Sequence, residues 1–230
     1  FDIKSDRDVK VVGGGVWNID KLSQDTKASQ TILWAAGRSI RYPSASSKIG
    51  NFKFLEWGIR DKDDLIDQTR FLPCVSCFSE DIITSPKDNK TMVFTNANNA
   101  VSSPIHKTND MIYSSNAVSK ESFLSNWTQC DTVITNSYHG IYWGLLSGRT
   151  VVPFGYSSKF TNVTRIFGID FPEAQLYRAA DRNMLSDMIS SSSNRSISLS
   201  NPEEWVETFR NINMDFVEKL RKVGVICNSI

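Results

Sequence analysis

The sequence predicts an α/β fold with parallel sheets. Short apolar runs repeatedly end in glycine or charged residues, as strands do where a parallel sheet presents its loops to a ligand. Apolar segments with helix-cap signals follow several of these runs. With 230 residues, of which 40% are hydrophobic and 22% charged, the chain has an ordinary globular composition and enough length for one large α/β domain or two small ones.

Three apolar runs in the N-terminal part each end in a small-residue or charged turn. That pattern is typical of parallel strands whose carboxyl ends face a ligand. The runs are residues 9–12 before Gly13-Gly14-Gly15, residues 31–36 before Gly37, and residues 52–59 before Arg60-Asp61.

The segment 81–90 is polar and turn-rich, which is typical of a linker. It follows a predicted short helix at 63–70. We therefore place the domain boundary at this segment, with an N-terminal Rossmann-like domain over residues 1–90 and a C-terminal one over residues 91–230. Because the chain opens at Phe1 without a methionine, we expect some upstream residues to be missing, and a cleaved signal is left open.

The C-terminal part continues the alternation of strands and helices. Its last helix carries an apolar stripe at a spacing of three to four residues, which we assign to the core. Beyond residue 160 the pattern is less regular, with a low-complexity loop at 190–194. The predicted strands are 91–95, 132–134 and 150–154, and a helix is predicted at 119–126. A second helix has His139 and Gly140 on its first turn and an apolar segment at 141–146. The final helix is predicted at 202–222, with the stripe Trp205, Phe209, Ile212, Phe216 and Leu220.

The most informative segment begins after the strand at 132–134. Asn136 and Ser137 supply helix-cap oxygens directly before an apolar helix. His139 and Gly140 therefore lie on the first turn of that helix, where backbone N–H groups and the helix dipole favour an anion. A histidine in this position can act as an acid–base group or contact a phosphate.

Further polar residues converge on the same predicted strand ends. Tyr138 and Lys159 accompany the histidine, and Arg38 and Arg60 directly follow two N-terminal strands. The structural alternative is that the arginines are surface charges and that a lone histidine such as His139 is a packed or surface residue. Their convergence on expected strand ends favours a binding role.

The glycine triplet lacks the Gly-x-Gly-x-x-Gly spacing of a dinucleotide site, and Trp17 occupies a place where a phosphate-binding turn is usually small. A tight turn that brings the backbone of Gly14 and Gly15 close to a substrate fits better.

Cys74 and Cys77 form a single Cys-x-x-Cys pair. A structural zinc site requires a second pair of ligands, so we predict no metal and interpret the cysteines as reduced structural thiols. Four Asn-x-Ser/Thr sequons are expected from the composition, and we interpret them as accidental. They begin at Asn89, Asn126, Asn162 and Asn194.

A formal charge of +1 provides no basic field for nucleic acid. No apolar run approaches the roughly 20 residues that a membrane-spanning helix requires. We therefore expect a cytoplasmic protein that binds no nucleic acid. Peripheral association with the inner face of the membrane and the oligomeric state are left open.

Together these motifs resemble the polysaccharide pyruvyl transferase superfamily. The resemblance covers most of residues 9–160, and its most distinctive part is the strand–helix–strand unit around His139. The corresponding residues are Gly13-Gly14-Gly15, Ala35-Ala36-Gly37, Arg60-Asp61, Asn136-Ser137-Tyr138-His139 and Lys159.

The resemblance implies a glycosyltransferase-B-like architecture, in which two Rossmann-like domains face each other across a cleft. It also implies transfer of pyruvate from phosphoenolpyruvate onto two hydroxyls of a sugar in a cell-surface polysaccharide or its lipid-linked precursor, with no cofactor. One departure concerns the donor: Ser137 and Tyr138 stand where the family has arginine and leucine before the histidine. Another cation must then hold the donor phosphate, or the donor differs.

In this reaction His139 would transfer a proton, with Asp61 as its partner. Lys159 and Arg60 would hold the departing phosphate. Two alternatives remain open: a metal-independent nucleotide-sugar glycosyltransferase, which needs similar groups, and a non-catalytic module that binds carbohydrate or nucleotide.

Overall fold

The computed structural model describes residues 8–15, 17–38, 52–97, 109–170 and 196–225. Over these residues the chain is α/β, and the strands of both sheets are parallel. The chain forms two compact units, Phe1–Val75 with Glu207–Ile230 and Ser76–Val206. The predicted α/β class with Rossmann-like parallel sheets is confirmed, whereas the predicted domain boundary at residue 90 stays a prediction.

The first unit contains a parallel sheet in the order β1-β2-β3. The central strand β2 is buried along most of its length and contributes to two cores, with Leu33 on one side of the sheet and Ile32 on the other. A bulge at Ala35, where φ is 52°, interrupts the pairing of β2 with β3 at its carboxyl end. The strands are β1 (Lys10–Gly13), β2 (Thr31–Ala36) and β3 (Glu56–Ile59), and helix α1 (Ile19–Ser23) follows β1.

The prediction of a short helix at 63–70 was wrong, because two separate 3-10 turns occupy that segment, Lys62–Asp64 and Gln68–Arg70. Leu65 between them is extended. The Gln68 side-chain amide donates to the carbonyl oxygens of Lys62 and Leu65, each at 3.0 Å, and so satisfies groups that a continuous helix would have used.

The second unit contains a parallel sheet in the order β5-β4-β6-β7. Its central strands bury apolar residues on both faces, as expected for a sheet covered on both sides. The elements are α2 (Glu80–Ile83), β4 (Lys90–Thr95), β5 (Met111–Ser115), α3 (Lys120–Trp127), β6 (Cys130–Thr135), α4 (Tyr138–Leu146), β7 (Thr150–Pro153) and α5 (Ser158–Arg165).

A buried arginine holds the amino-terminal side of this sheet together. Arg149 is fully buried, and its guanidinium donates to the carbonyl oxygens of Cys130, Trp127 and Pro86 at 3.0, 2.9 and 3.1 Å. It also lies 4.3 Å from the centroid of the Trp127 ring. Burial lowers the pKa of this guanidinium, and carbonyl dipoles replace the water it has lost. The segment containing Pro86, predicted as a linker, therefore packs into the second unit.

The final helix α6 (Pro202–Lys222) bears out the predicted apolar stripe. Phe209, Phe216 and Leu220 are buried. The Phe216 ring contacts the Trp34 ring edge-on at 5.2 Å between centroids, so this helix covers one face of β2. Among the described helices, none combines the length and apolar composition needed to span a membrane.

Candidate functional site

The strand order of the second unit defines where a ligand would bind. From β4 the chain moves outward to β5 and then crosses back to β6, on the other side of β4. The order therefore reverses between β4 and β6. In open parallel sheets, ligands bind outside the carboxyl ends of the strands at this reversal.

Hydrogen bonds connect the loops on both sides of the reversal. The backbone N–H of Asn96, directly after β4, donates to Oδ1 of Asn136, directly after β6, at 2.7 Å. The Asn96 side-chain amide donates to the Tyr156 hydroxyl at 3.3 Å, and the Lys159 ammonium donates to the same hydroxyl. Two predicted residues, Asn136 and Lys159, are thus joined through Asn96 and Tyr156, which the sequence analysis missed.

The turn between β6 and α4 is fixed by Thr135. Its hydroxyl donates to the carbonyl oxygen of Phe94 at 2.7 Å and accepts the backbone N–H of Ser137 at 3.0 Å. Ser137 is the N-cap residue of α4, but its side chain makes no capping hydrogen bond. The predicted cap oxygen of Asn136 instead binds the loop after β4. The amino terminus of α4 therefore lies at the reversal point, and the Ser137 side chain does not cap it.

His139 lies in the first turn of α4 and is half-buried. Its imidazole stacks on the Trp143 ring at 4.8 Å between centroids and meets the Tyr138 ring edge-on at 5.4 Å. Trp143 is itself held by a 2.9 Å hydrogen bond from its indole N–H to the Ser76 hydroxyl. The histidine ring is therefore oriented by packing while remaining partly accessible.

Two other predicted residues of α4 have packing contacts. Tyr138 is buried and stacks on Tyr142. A β-carbon on Gly140 would lie 2.3 Å from the Thr135 hydroxyl oxygen, so glycine allows the helix to approach the strand closely. The contacts of Tyr138 and Gly140 are therefore packing contacts within the second unit.

Lys159 lies in the first turn of α5. Its ammonium is 4.4 Å from the Tyr156 ring centroid and 5.0 Å from that of Phe160. Because β6 and β7 are parallel and adjacent, α4 and α5 begin at the same edge of the sheet. A histidine and a lysine thus lie at the same edge of one sheet, the edge at which open parallel sheets commonly bind ligands.

In the first unit, the glycine turn has the conformation that its sequence predicts. Gly14 and Gly15 have φ values of 59° and 62°, which L side chains rarely adopt. Gly14 donates its N–H to the Trp34 carbonyl at 3.2 Å, and Gly15 accepts the N–H of Gly37 at 3.0 Å. The turn is therefore tied to the carboxyl end of β2.

Arg38, Arg60 and Asp61 also lie at this edge. The Asp61 carboxylate is fully buried and accepts the backbone N–H of Arg38. Arg60 is 3% exposed, and a β-carbon on Gly37 would lie 2.4 Å from its Nε, so the guanidinium packs beneath that turn. Both contacts support the loop after β2, and the predicted catalytic and phosphate-binding roles of Asp61 and Arg60 stay predictions.

The cysteines Cys74, Cys77 and Cys130 are buried thiols, and Cys227 lies outside the described residues. Within the described part of the chain, no three His, Cys, Asp or Glu side chains cluster as metal ligands would. The sequon residue Asn162 is buried in α5, which agrees with its interpretation as accidental, and Asn194 lies outside the described residues.

A cavity of ≈ 220 Å³ lies in the first unit beside the middle of β3. None of the predicted site residues lines it. Its walls come from β3, the turn at 68–72 and α6, away from the strand ends. We therefore locate the candidate site by strand topology and polar contacts.

The predicted site residues fall into two sets. One set belongs to the first unit, and the other lies at the strand reversal of the second unit. Comparison of the chain with family models, curated proteins and solved structures yields no match. The sets are Gly14, Gly15, Arg38, Arg60 and Asp61 in the first unit, and Asn136, Ser137, Tyr138, His139, Gly140 and Lys159 in the second.

Proposed function

We propose that this protein is a transferase that moves pyruvate from phosphoenolpyruvate onto a sugar of a cell-surface polysaccharide or its precursor. The observation that carries the proposal is the presence of His139 and Lys159 on the first turns of two adjacent helices, at the ligand-binding edge of one sheet. The motif resemblance supplies the reaction class, and the contacts of these two residues support the assignment of their roles.

The reaction needs proton transfer and charge neutralisation. The methylene carbon of phosphoenolpyruvate accepts a proton, and a sugar hydroxyl oxygen bonds to the adjacent carbon. A second hydroxyl oxygen then bonds to that carbon, and the carbon–oxygen bond to phosphate breaks with its electrons leaving on phosphate. The two sugar hydroxyls lose two protons in all. One is equivalent to the proton gained by the methyl group, and the other leaves with phosphate.

His139 suits the proton transfers, because its ring is oriented by Trp143 yet remains partly accessible. Lys159 suits the phosphate, because the Tyr156 hydroxyl holds its ammonium at the same edge. This lysine would provide a cation at the same sheet edge as Ser137, where the superfamily that the motifs resemble has arginine. Metal and cofactor have no part in the proposed reaction.

The proposal includes the arrangement implied by the resemblance, in which two Rossmann-like domains face each other across a cleft. It also includes action in the cytoplasm, with peripheral association at the inner face of the membrane if the acceptor is lipid-linked. A crystal structure with phosphoenolpyruvate and a sugar bound would test this arrangement directly.

A nucleotide-sugar glycosyltransferase is the second candidate. The strand reversal favours it, because nucleotides commonly bind at this point of Rossmann-like sheets. His139 would then deprotonate the acceptor hydroxyl, and the amino termini of α4 and α5 would face the diphosphate.

Donor consumption separates these functions. We expect phosphoenolpyruvate to raise the melting temperature more than nucleotide sugars do. We also expect phosphate release from phosphoenolpyruvate to require a sugar acceptor. Release of a nucleotide from a nucleotide sugar would instead establish the glycosyltransferase, and binding without turnover of either donor would establish a binding module.

A further inference from the structure

Trp17 is an exposed tryptophan held rigidly at the ligand-side edge of the first unit. Its side chain is 42% exposed, and the other five tryptophans, all within the described residues, are buried or half-buried. The indole N–H donates to the Gly14 carbonyl at 2.8 Å, and the backbone N–H donates to the Gly37 carbonyl at 2.9 Å. Hydrogen bonds therefore fix both the backbone and the indole nitrogen of Trp17, while much of the ring faces solvent.

Two glycines, Gly15 and Gly37, lie close to Trp17. Gly15 has no side chain, and a β-carbon there would lie 3.4 Å from the indole nitrogen. Gly37, which binds the Trp17 backbone, precedes Arg38, whose own backbone binds the buried Asp61 carboxylate. The indole thus lies at the carboxyl ends of β1 and β2, where Gly14 and Gly37 hold it.

The chemistry of the two proposed substrates decides which one an indole face would bind. Phosphoenolpyruvate is small and multiply anionic, so its binding depends on cations and backbone N–H groups. A sugar ring has an apolar face of C–H bonds and an edge of hydroxyls. An amphipathic, pre-oriented indole suits the apolar face of a sugar ring.

We infer that Trp17 is the platform on which the acceptor sugar stacks. The inference rests on the proposed function for the identity of the ligand as an acceptor, but sugar binding itself requires no donor and no turnover. On this inference, the glycine turn holds the indole at the carboxyl ends of the strands. Gly14 holds the indole nitrogen, and Gly37 holds the backbone of Trp17.

The test measures sugar binding to the full chain by calorimetry, without donor. The probes are methyl glycosides of galactose, glucose and mannose. Trp17→Ala removes the platform, Trp17→Leu keeps apolar bulk without an aromatic face, and Trp17→Phe keeps the face without the indole N–H. Trp205→Phe is the matched control, because Trp205 is half-buried against Phe167 in the second unit.

We expect at least one glycoside to bind, with affinity reduced about threefold to tenfold in Trp17→Ala and Trp17→Leu, the size of a single aromatic contact. Trp17→Phe and the control should stay within about twofold of the unsubstituted protein. Binding should also shift the emission of Trp17 to shorter wavelength, and this shift should persist in Trp205→Phe.

Two results would overturn the inference: no glycoside binds, or Trp17→Ala binds as tightly as the unsubstituted protein while melting at the same temperature. If Trp17→Ala lowers the melting temperature, the sugar affinities of Trp17→Leu and Trp17→Phe are compared instead. Both variants lose the indole N–H, so they differ only in whether an aromatic face remains. Equal affinities in these two variants would overturn the inference. Sugar binding that depends on Trp17 without consumption of phosphoenolpyruvate would refute the proposed reaction and leave the platform intact.

Discussion

At the scale of single residues, His139 differs from an ordinary surface histidine because an aromatic neighbour one helical turn away fixes its ring. We predict that His139→Ala lowers turnover about a hundredfold or more, the usual size of a general acid–base contribution. The KM for phosphoenolpyruvate should change little, because the cation that holds phosphate remains. Steady-state phosphate release measures both quantities.

The control for His139 is the melting temperature of the same variant. His139→Asn should also be inactive, because an amide cannot exchange protons near neutral pH. Retention of most activity by either variant would remove His139 from the mechanism.

Lys159 is predicted to hold the donor, with Tyr156 as its positioning residue. Lys159→Ala should raise the KM for phosphoenolpyruvate strongly, because it removes a cation from the phosphate side. Tyr156→Phe should raise it about threefold to tenfold, since the lysine loses a single hydrogen-bond acceptor. Lys120→Ala, which removes an exposed lysine paired with Asp81, is the matched control and should leave the KM unchanged. Equal KM values for Tyr156→Phe and the unsubstituted protein would show that the hydroxyl does not position Lys159.

At the scale of elements, two glycines, Gly140 and Gly144, allow α4 to approach the sheet closely. A β-carbon on Gly144 would lie 2.5 Å from Cγ2 of Val151 on β7. Alanine has a higher helix propensity than glycine, by roughly 0.5–1 kcal/mol, but overpacking in a core costs roughly 1–3 kcal/mol. We therefore predict that Gly144→Ala lowers the free energy of unfolding, measured in urea.

A substitution of Val151 tests whether contact with this side chain is what destabilises Gly144→Ala. Val151→Ala alone leaves a cavity and should also destabilise the protein. The double variant should be more stable than the sum of the single effects by about 0.5 kcal/mol or more, because the new methyl group fills the vacated space. Strict additivity would mean that the two side chains do not meet.

Several elements could be predicted from the sequence because their apolar runs and caps are local signals. Strand β6, the start of α4 and the stripe of α6 are of this kind. Strand β5 was missed, since most of its residues are only half-buried and its apolar signal is weak. Helix α5 was missed because its buried face includes Thr161, Asn162 and Thr164, which are poor helix formers in isolation.

The candidate site shows the same division between local and long-range signals. The position of His139 on a helix start follows from adjacent residues. The bonds from Asn96 to Asn136 and Tyr156 cross 40 and 60 positions of the chain, and no periodic pattern encodes them. The position of Asn96 directly after a predicted strand was the signal that could have identified it.

At the scale of the whole molecule, the buried thiol of Cys130 couples stability to pH. Burial raises the pKa of this thiol, and the nearby Arg149 guanidinium only partly offsets the increase. In the unfolded chain the thiol ionises near its ordinary value of about 8.5, whereas the folded protein keeps it protonated. Its stabilising contribution is therefore complete below that pH and declines as the pH rises towards the folded-state pKa.

We predict that the free energy of unfolding falls between about pH 8.5 and 10, with up to about 1.4 kcal/mol per pH unit from this thiol. Urea unfolding across this range measures the slope. Cys130→Ala should be less stable at pH 7 because of the lost packing, yet show a shallower decline at high pH. An identical slope in both proteins would assign the pH dependence to other groups.

Helix α6 imposes an order on folding during synthesis. The first unit is discontinuous in the chain, since its sheet comes from the beginning and the helix that covers Ile32 and Ala35 comes from the end. Strands β1, β2 and β3 leave the ribosome before this helix and must therefore wait with one apolar face uncovered, while the second unit, which is continuous, can fold before them. Until Phe216 and Leu220 have emerged, that face is exposed to aggregation or to chaperone binding.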